Sequence, residues 1–394
     1  MLGGAVAGLA AAERLREFAD VTLFERQTYD DKRVNCGEAI NDARLVPLES
    51  TPENGFRNRV EGFDVSIFAS TDRAPDADPL ARAHVGVDHG YVTDRDVVER
   101  RWAERLAADD SVAVRAGENV TVSRFRDCVR EFDYVVDATG QPSLWSKARD
   151  RTDAYTGDIV ALNADVRGDF GEYRRRPRIL FEGYVGYFWV FPKSDSRANV
   201  GIGWAGEHRP DDYVAELWAA CDRAGVPRPD RDAIEFYTIP RGPSLDPDLA
   251  TPESGVYLVG DAAGVANRYQ GEGICQAIRS SYLLAALLEQ GRGEEYPDRL
   301  YGRQKSEYVL AAAMRAVWET TEDPDLLASV ARSIDGLTVE AVTREPLSVA
   351  SRIVRRPRTL ARVLGSSEII RRSLLAALDR WEYNSPPRWS ASGG

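Results

Sequence analysis

The N-terminal segment carries the pattern that most restricts the fold of this chain. Residues 3–8 form a glycine-rich turn, GGAVAG, and an Ala- and Leu-rich stretch of helical periodicity follows. The segment 21–26 is apolar and ends in Glu25 and Arg26, as expected for a β-strand with an acid at its end. Glycine turn, helix, strand and terminal acid together predict a dinucleotide-binding unit, in which glycines admit a pyrophosphate and the acid accepts hydrogen bonds from ribose hydroxyls.

Two features depart from the usual form of this pattern. Ala5 stands where the second glycine of G-x-G-x-x-G is expected, and only Met1 and Leu2 precede the turn, so the first strand is essentially missing. A truncated or wrongly started reading frame would explain this arrangement. Loss of a central strand leaves two unpaired sheet edges. We therefore expect the protein to be unstable or to bind its cofactor poorly.

Two later segments also combine an apolar strand with a turn of small residues. The first is DYVVDATG, at 133–140, and the second is GVYLVGDAAGVANRYQGEGICQAI, at 255–278. In the second segment Asp261 lies in the turn, and a helix is predicted to begin near 271–274. Glycines and the N–H groups of a helix start suit anionic oxygens. Taken alone, the segment is equally consistent with a cofactor loop and with an ordinary helix cap.

The middle of the chain predicts an antiparallel sheet. Residues 159–204 contain several runs of period-two alternation rich in aromatic and β-branched side chains. Tyr187, Trp189 and Phe191 would share one face, either as core or as the wall of an apolar ligand pocket. Earlier in the chain, Cys36 precedes Gly37 in a polar segment. Its thiol is either a small buried group or a group near a redox cofactor.

Composition excludes several classes of function. The net charge of −12 argues against nucleic acid as a partner. The four cysteines are scattered without a CxxC pair, and three histidines are too dispersed to predict a metal site. No run of eighteen apolar residues and no signal peptide is visible, which predicts a cytoplasmic protein. Only four of the 51 basic residues are lysines, which suggests a halophilic protein or a GC-rich genome.

Beyond residue 280 the pattern is helical, and the last helix is predicted over 360–381. The stretch 353–372 is basic and interleaved with Leu and Ile. It would form either a packed helical tail with a solvated basic face or a peripheral contact with the anionic inner face of a membrane. The last residues, 384–394, are expected to be disordered.

The order of these motifs resembles the glutathione-reductase-type FAD fold, in the branch shared by aromatic-ring hydroxylases, flavin halogenases and geranylgeranyl reductases. Three further features resemble the geranylgeranyl reductase family: NCGE at 35–38, YFWVFPK at 187–193, and GEGI at 271–274. The resemblance covers about residues 1–320. The Y-x-W-x-F-P element is fairly specific, whereas the FAD motifs identify only the superfamily.

The resemblance implies an α/β fold: a Rossmann-like FAD-binding domain with an inserted antiparallel β-sheet substrate domain and a helical C-terminal region. We assign residues 1–45, 88–150 and 235–300 to the FAD-binding domain, with its first strand truncated. Residues 46–87 and 151–234 would form the substrate domain, and 301–394 the helical region.

The resemblance also implies two sets of site residues. The cofactor-binding set is Gly3, Gly4, Gly8, Glu25, Arg26, Arg95, Val120, Gly140, Asp261, Gly271, Gly273 and Ile274. The catalytic set is Cys36, Gly37, Tyr187 and Trp189, and no metal ligand is expected.

Within these sets the implied roles differ. Arg95 would lie near the FAD phosphates, and Asp261 would contact the ribityl or pyrophosphate region. Val120, in a candidate strand at 120–122, would present its backbone to adenine. Residues 271–274 would direct N–H groups to the pyrimidine edge of the flavin. Cys36 and Gly37 would lie beside the isoalloxazine, and two aromatic side chains of the 187–193 element would wall a prenyl pocket.

The implied reaction is hydride transfer from reduced FAD to an isolated C=C bond of a geranylgeranyl chain of an isoprenoid lipid, or of another apolar small molecule. Cys36, a water or the flavin would supply the proton, and positioning should dominate catalysis. The electron donor would be NAD(P)H or another reductant. Arg268 and Tyr269 replace the small residues expected before GEGI and are predicted to alter substrate or flavin access. A monooxygenase or halogenase, and a flavin-fold protein that has lost FAD, are the alternatives.

Overall fold

The computed structural model describes residues 1–152, 157–205, 208–240, 250–251, 253–267, 271–319 and 324–378. The described strands are β1 Val21–Glu25, β2 Ala39–Ile40, β3 Phe56–Phe68, β4 Ala81–Thr93, β5 Val112–Ala116, β6 Val135–Asp137, β7 Gly157–Arg167, β8 Arg178–Glu182, β9 Gly186–Ser194, β10 Arg197–Ala205, β11 Glu235–Pro240 and β12 Val256–Leu258. The described α-helices are α1 Val6–Leu15, α2 Arg95–Ala107, α3 Val122–Glu131, α4 Leu144–Ala148, α5 Tyr213–Ala224, α6 Ile274–Glu289, α7 Tyr296–Glu319, α8 Pro324–Ile334, α9 Val339–Arg344, α10 Pro346–Val354, α11 Pro357–Gly365 and α12 Ser367–Ala377.

A parallel layer surrounds the N-terminal segment. Strand β1 pairs with β5, β6 pairs with β12, and Leu2 bridges the two pairs through Phe24 and Asp137. The Leu2 nitrogen donates to Val136 O at 2.9 Å, and the next nitrogen, that of Gly3, donates to Phe24 O at 2.9 Å. The strand expected to be missing is therefore represented by a short segment that pairs on both sides, and Leu2 is buried in the core.

Helices α1 and α6 pack closely against this layer because the residues at their contact are small. The oxygen of Ala7 in α1 accepts a hydrogen bond from Ser281 Oγ in α6 at 2.8 Å. A Cβ at Gly260 would lie only 2.8 Å from the Ala7 side chain. The Ala-rich sequence of the first helix thus allows the approach that brings the GDAAG turn beside the glycine loop.

The second layer is an eight-stranded sheet in the order β11-β7-β10-β9-β8-β3-β4-β2. Its neighbours are antiparallel except for β3 and β8, which run parallel. One face, including Phe188 and Val190, packs on α5, and the other, including Trp189 and Phe191, packs on helices α7 and α8. Burial on both faces explains why β9 is almost continuously apolar.

The architecture agrees with the α/β fold expected from the sequence: a Rossmann-like layer, an inserted and mostly antiparallel sheet, and a helical C-terminal region. Three stretches that the sequence assigned to the FAD-binding domain belong to the eight-stranded sheet. They are β2 at 39–40, the end of β4 at 88–93 and β11 at 235–240. The division into domains otherwise stays a prediction.

The expectation of a strand at 120–122 is wrong. Thr121 caps helix α3, its hydroxyl accepting a hydrogen bond from the Arg124 nitrogen at 3.2 Å, so the chain is helical from Val122. A threonine between two valines satisfies strand propensity and helix capping equally well, and here capping prevails. Val120 itself lies in the loop before the helix, buried in the core.

The C-terminal region is helical as expected, through residue 377. The end of the helix predicted to reach residue 381, and the tail 384–394, lie outside the described residues, as do Arg268 and Tyr269. No helix in the described ranges is long and apolar enough to cross a membrane.

Candidate functional site

The glycine loop is closely packed against neighbouring backbone, so that only glycine fits at Gly3 and Gly8. Gly3 has a φ of +91°, and a Cβ there would lie 2.5 Å from Ala138 O. A Cβ at Gly8 would lie 1.8 Å from Gly3 O. The DATG turn thus packs directly on the glycine loop. Helix α1 begins at Val6, within the loop, so the free N–H groups of its first turn belong to the loop itself.

Glu25 lies at the end of β1, beside the glycine loop. Its Oε2 accepts from the Gly4 nitrogen at 2.8 Å and from Lys32 Nζ at 3.0 Å, and Lys32 also donates to Gly4 O at 2.8 Å. Burial by itself raises the pKa of the Glu25 carboxyl, but the Lys32 ammonium and the backbone N–H donors outweigh burial and lower it. Glu25 is therefore ionised and holds the loop in place.

A chain of alternating charges extends from Glu25 into the protein. Lys32 Nζ lies 3.1 Å from Glu99 Oε2, and Glu99 Oε1 lies 3.0 Å from Arg95 Nε. Glu99 is completely buried and is stabilised by the cation on each side. Sequence inspection missed Lys32 and Glu99, because their partners are far apart in the chain.

Asp137 of the DATG turn has a structural role. Its Oδ1 accepts from the nitrogen and hydroxyl of Thr139, and its Oδ2 accepts from the Trp145 nitrogen at 2.8 Å. Burial raises the pKa of this carboxyl, although these hydrogen bonds act to lower it. Gly140 follows with a φ of +80°, and no atom lies within 4 Å of the position that a Cβ would take, so its backbone faces open space.

The GDAAG turn, which packs on Ala7 of α1, places Asp261 near the glycine loop. A Cβ at Gly273 would lie 3.3 Å from Asp261 Oδ1. Helix α6 begins at Ile274 after Gly273, without a side-chain cap, so Asp261 is not the cap of this helix. The Asp261 side chain is solvent-accessible yet lies deep in a cleft. This depth raises the pKa of its carboxyl, while Arg95 acts to lower it.

The segment 36–38 connects this cleft to the eight-stranded sheet. A Cβ at Gly37 would lie 3.2 Å from both Trp189 Nε1 and Phe191 Cε2, so the loop backbone packs on the aromatic face. Burial acts to lower the pKa of the Arg95 guanidinium, but the neighbouring Cys36 sulfur and the Glu99 carboxylate outweigh burial and raise it. Cys36 thus lies beside a cation at the junction of the two layers.

Glu38 anchors this segment. It has a φ of +60°, and its carboxylate contacts Lys193 Nζ and accepts from the Arg95 nitrogen at 2.8 Å. Lys193 also lies 2.9 Å from Asp94 Oδ1 and 3.0 Å from Asp165 Oδ2. Burial raises the pKa of Glu38 to about 7 despite Lys193. Burial also acts to raise the pKa of Asp94, but Lys193 and Arg197 outweigh burial and lower this pKa to about 2.

Strand register explains how the aromatic face is shaped. One row across β9, β10, β7 and β11 is Trp189, Gly201, Asn163 and Glu235. The next row is Tyr187, Gly203, Ala161 and Tyr237. The glycines of β10 leave room for the aromatic side chains of β9. At Gly201 even a Cβ would collide with Trp189, 2.1 Å from its Cζ2.

Amide side chains hold this face in place. Trp189 Nε1 donates to Asn199 Oδ1 at 2.8 Å, and Asn199 Nδ2 donates to Asn163 Oδ1 at 3.2 Å. Asn163 in turn bonds the hydroxyl of Tyr237, whose pKa is raised by burial and by the neighbouring Cys36 and Tyr187. Sequence inspection missed Tyr237 and both asparagines, because only strand pairing shows which residues are neighbours.

The predicted site residues therefore fall into two groups joined by Arg95. The group near the glycine loop is Gly3, Gly4, Gly8, Glu25 and Gly140. The group near the segment 36–38 is Cys36, Gly37, Tyr187, Trp189, Asp261, Gly271, Gly273 and Ile274. Arg26 is exposed after β1, and Val120 is buried near the end of the same strand. The individual roles of all these residues remain predictions.

Comparison with solved structures shows which fold this chain shares. The fold matches a geranylgeranyl bacteriochlorophyll reductase-like protein from Thermoplasma acidophilum with a TM-score of 0.70 at 18% identity, covering 92% of this chain and 97% of that chain. The flavin-dependent halogenase CmlS matches with a TM-score of 0.61 at 15% identity, covering 93% of this chain and 78% of that chain. The chain thus has the fold of FAD-dependent oxidoreductases.

Sequence comparison finds curated relatives that are named as lipid reductases. A digeranylgeranylglycerophospholipid reductase from Methanosarcina mazei is 28% identical over 314 residues, 72% of each chain. One from Thermoplasma volcanium is 24% identical over 335 residues, 77% of this chain and 81% of the relative. No family model matches the sequence. By sequence and by fold the chain is thus similar to geranylgeranyl reductases.

Proposed function

We propose that this protein is an FAD-dependent reductase that saturates C=C bonds in the geranylgeranyl chains of an isoprenoid lipid. The observation that carries the proposal is the packing of Gly37 on Trp189 and Phe191. This contact places the segment predicted to face the flavin directly against an apolar, aromatic face. The curated relatives are named as reductases of a digeranylgeranyl phospholipid, which supports a prenyl chain as the substrate.

The residues present fit FAD. The glycine loop offers backbone N–H groups without side chains, next to the open space at Gly140, Glu25 is ionised at its edge, and the Asp261 side chain is solvent-accessible. These residues would hold the pyrophosphate, the adenosine ribose and the ribityl region respectively. When bound, reduced FAD would supply a hydride to one carbon of the double bond.

The protein itself would position the alkene and supply the proton. Tyr187 and Trp189 exclude water from the aromatic face and orient the chain by contact. The thiol of Cys36 would donate its proton to the second carbon, and Arg95 beside it would stabilise the resulting thiolate. Reprotonation of the Cys36 sulfur would then complete the cycle.

A single-turnover experiment tests this proposal. FAD-loaded protein, reduced anaerobically with dithionite, is mixed with a geranylgeranyl lipid, and the lipid is analysed by mass spectrometry. We expect two hydrogens to be added per double bond, and a much slower reaction with Cys36→Ala than with wild type. A fully reduced protein that leaves the lipid mass unchanged would refute the proposal. NAD(P)H and other reductants are then compared as physiological donors.

The structural match to a halogenase supports one alternative, oxygen-dependent chemistry on the same fold. That alternative predicts NAD(P)H consumption that requires oxygen and yields a hydroxylated or halogenated product. Ala5 in the glycine loop motivates a second alternative, a protein with impaired FAD binding. Protein that shows no flavin absorbance after incubation with excess FAD would favour that alternative.

A further inference from the structure

The three short helices α10, α11 and α12, with the residue that follows α12, expose apolar side chains. Leu347 is 85% exposed and Leu378 is 67% exposed, and Val354, Leu364 and Leu374 are each more than half exposed. These five are half of the ten large hydrophobic side chains exposed among the described residues. Leu347 and Val354 are seven positions apart in α10 and so lie on one face of the helix. Such a concentration marks an interaction surface.

The same segment is strongly basic in an acidic protein. Residues 346–378 contain seven arginines and one acidic residue, Glu368, whereas the whole chain has a net charge of −12. Arg355, Arg356 and Arg358 are exposed where α10 meets α11, next to Val354. We name the exposed side chains of residues 346–378 the Leu–Arg surface. Leucines flanked by arginines fit a bilayer surface, where apolar groups enter the interface and guanidinium groups contact anionic head groups.

The inner sides of these helices are packed. Val349 and Ile369 belong to the same core cluster as Trp189 and Phe191, and Ile353 packs against it. Thr359 is buried and its hydroxyl bonds that of Ser329 in α8. The Leu–Arg surface is therefore the outside of a helical layer whose inside belongs to the same core as the aromatic face.

We propose that the Leu–Arg surface docks this protein on a bilayer that carries anionic head groups. Docking would place the layer that covers the aromatic face against the membrane, which deepens the proposed function by giving a lipid chain a short path to that face. The proposal that a lipid chain reaches the aromatic face from the membrane rests on the proposed function. The proposal that the protein docks on a membrane rests only on the Leu–Arg surface.

Vesicle flotation tests the docking. FAD-loaded protein is mixed with vesicles of phosphatidylcholine alone or of equal parts phosphatidylcholine and phosphatidylglycerol. We expect binding to the anionic vesicles, weakened roughly 100-fold in the triple variant Arg355→Gln/Arg356→Gln/Arg358→Gln, since each arginine near an anionic surface contributes about fivefold. Leu347→Ser/Val354→Ser/Leu364→Ser should also lose binding. Matched controls on other surfaces are Arg101→Gln/Arg115→Gln/Arg130→Gln and Leu80→Ser/Phe132→Ser, which should bind as wild type does.

Several results would overturn the docking proposal. These are equal binding to neutral vesicles, no flotation at all, unchanged binding in both triple variants, or self-association through the same leucines in place of vesicle binding. Thermal melting establishes that each variant is folded. Reduction of a detergent-dispersed prenyl lipid separates the two proposals: its absence in wild type refutes the reductase function, while flotation still decides the docking.

Discussion

The cleft at the glycine loop and the aromatic face of the eight-stranded sheet meet at Gly37, yet different interactions stabilise them. Around the glycine loop, backbone groups are held by buried ions, Glu25, Lys32 and Glu99. On the aromatic face, the Trp189 indole is held by the amides of Asn199 and Asn163, and Asn199 also donates to the Asp165 carboxylate at 3.3 Å. Ions suit a site for a charged pyrophosphate, whereas an aromatic face fixed mainly by amides suits an alkene that develops no oxyanion. Variants in the two regions should therefore separate cofactor binding from substrate handling.

The largest effect is expected at Gly8. A Cβ there would lie 1.8 Å from Gly3 O, so Gly8→Ala must displace the loop, at a cost of about 4 kcal/mol in unfolding free energy. FAD binding should be lost with it. Gly225→Ala, just after α5 and outside the predicted cofactor site, is the matched control: its φ of +69° is strained, but no described atom lies within 4 Å of a Cβ there, so about 1 kcal/mol is expected. Urea unfolding measures the stability of the two variants, and flavin absorbance measures their FAD binding. Equal losses in the two variants would contradict the close packing of the loop at Gly8.

The second largest effect is expected at Lys193, where the segment 36–38 meets the eight-stranded sheet. Lys193→Met leaves Glu38, Asp94 and Asp165 without their shared cation, which should cost about 3 kcal/mol of unfolding free energy. Because Glu38 anchors the segment that carries Cys36, lipid reduction should fall more than FAD affinity does. Chemical denaturation and a fluorescence titration with FAD give the two quantities. Loss of FAD affinity equal to the loss of turnover would place Lys193 in the cofactor cleft instead.

A smaller effect, confined to the cofactor cleft, is expected at Lys32. Lys32→Met removes the cation between Glu25 and Glu99, but each keeps another donor or cation, so about 2 kcal/mol of stability is at risk. FAD affinity should fall about tenfold because Gly4 O loses one of its two donors and keeps only the Tyr29 hydroxyl. Lys147→Met, at an exposed lysine, is the control. If both variants bind FAD equally well, the buried charges do not organise the loop.

Stability should respond to pH through Glu38. Its pKa is raised from 4.5 to about 7, mainly by burial, so the folded state holds this proton to higher pH than the unfolded state does. The contribution of Glu38 to stability therefore falls as pH rises from about 4.5 to about 7. Glu38→Gln removes this dependence, and its stability relative to wild type should increase by about 1 kcal/mol or more between pH 5 and pH 8. Melting curves across this range that stay parallel would contradict the shift.

The smallest effect on stability is expected at Asn199. Asn199→Leu removes the acceptor of Trp189 Nε1 and should cost about 1 kcal/mol. FAD affinity should not change, while lipid reduction should slow because the indole is no longer fixed. Asn54→Leu removes a solvent-exposed hydrogen bond to Glu49 O and serves as the control. A fall in FAD affinity would show that the two regions are not independent.

The sequence determined much of the cofactor unit. Glycine turn, small-residue helix, β1 and the acid Glu25 are contiguous, so their order alone predicts the parallel layer and the cleft. The placement of Tyr187, Trp189 and Phe191 on one face was equally predictable, since alternation along a single strand fixes it. The strand at 120–122 was wrong because valine and threonine suit a strand and a capped helix alike.

Only the tertiary structure decided which side chains meet. Lys193 reaches Glu38 across 155 positions of sequence, and Asn199 reaches Asn163 across 36. Such pairs depend on strand register and on how one layer packs against another, and no local pattern records either. The exposed side of α10–α12 is a similar case. Whether its leucines are core or surface is set by which helix face the sheet covers.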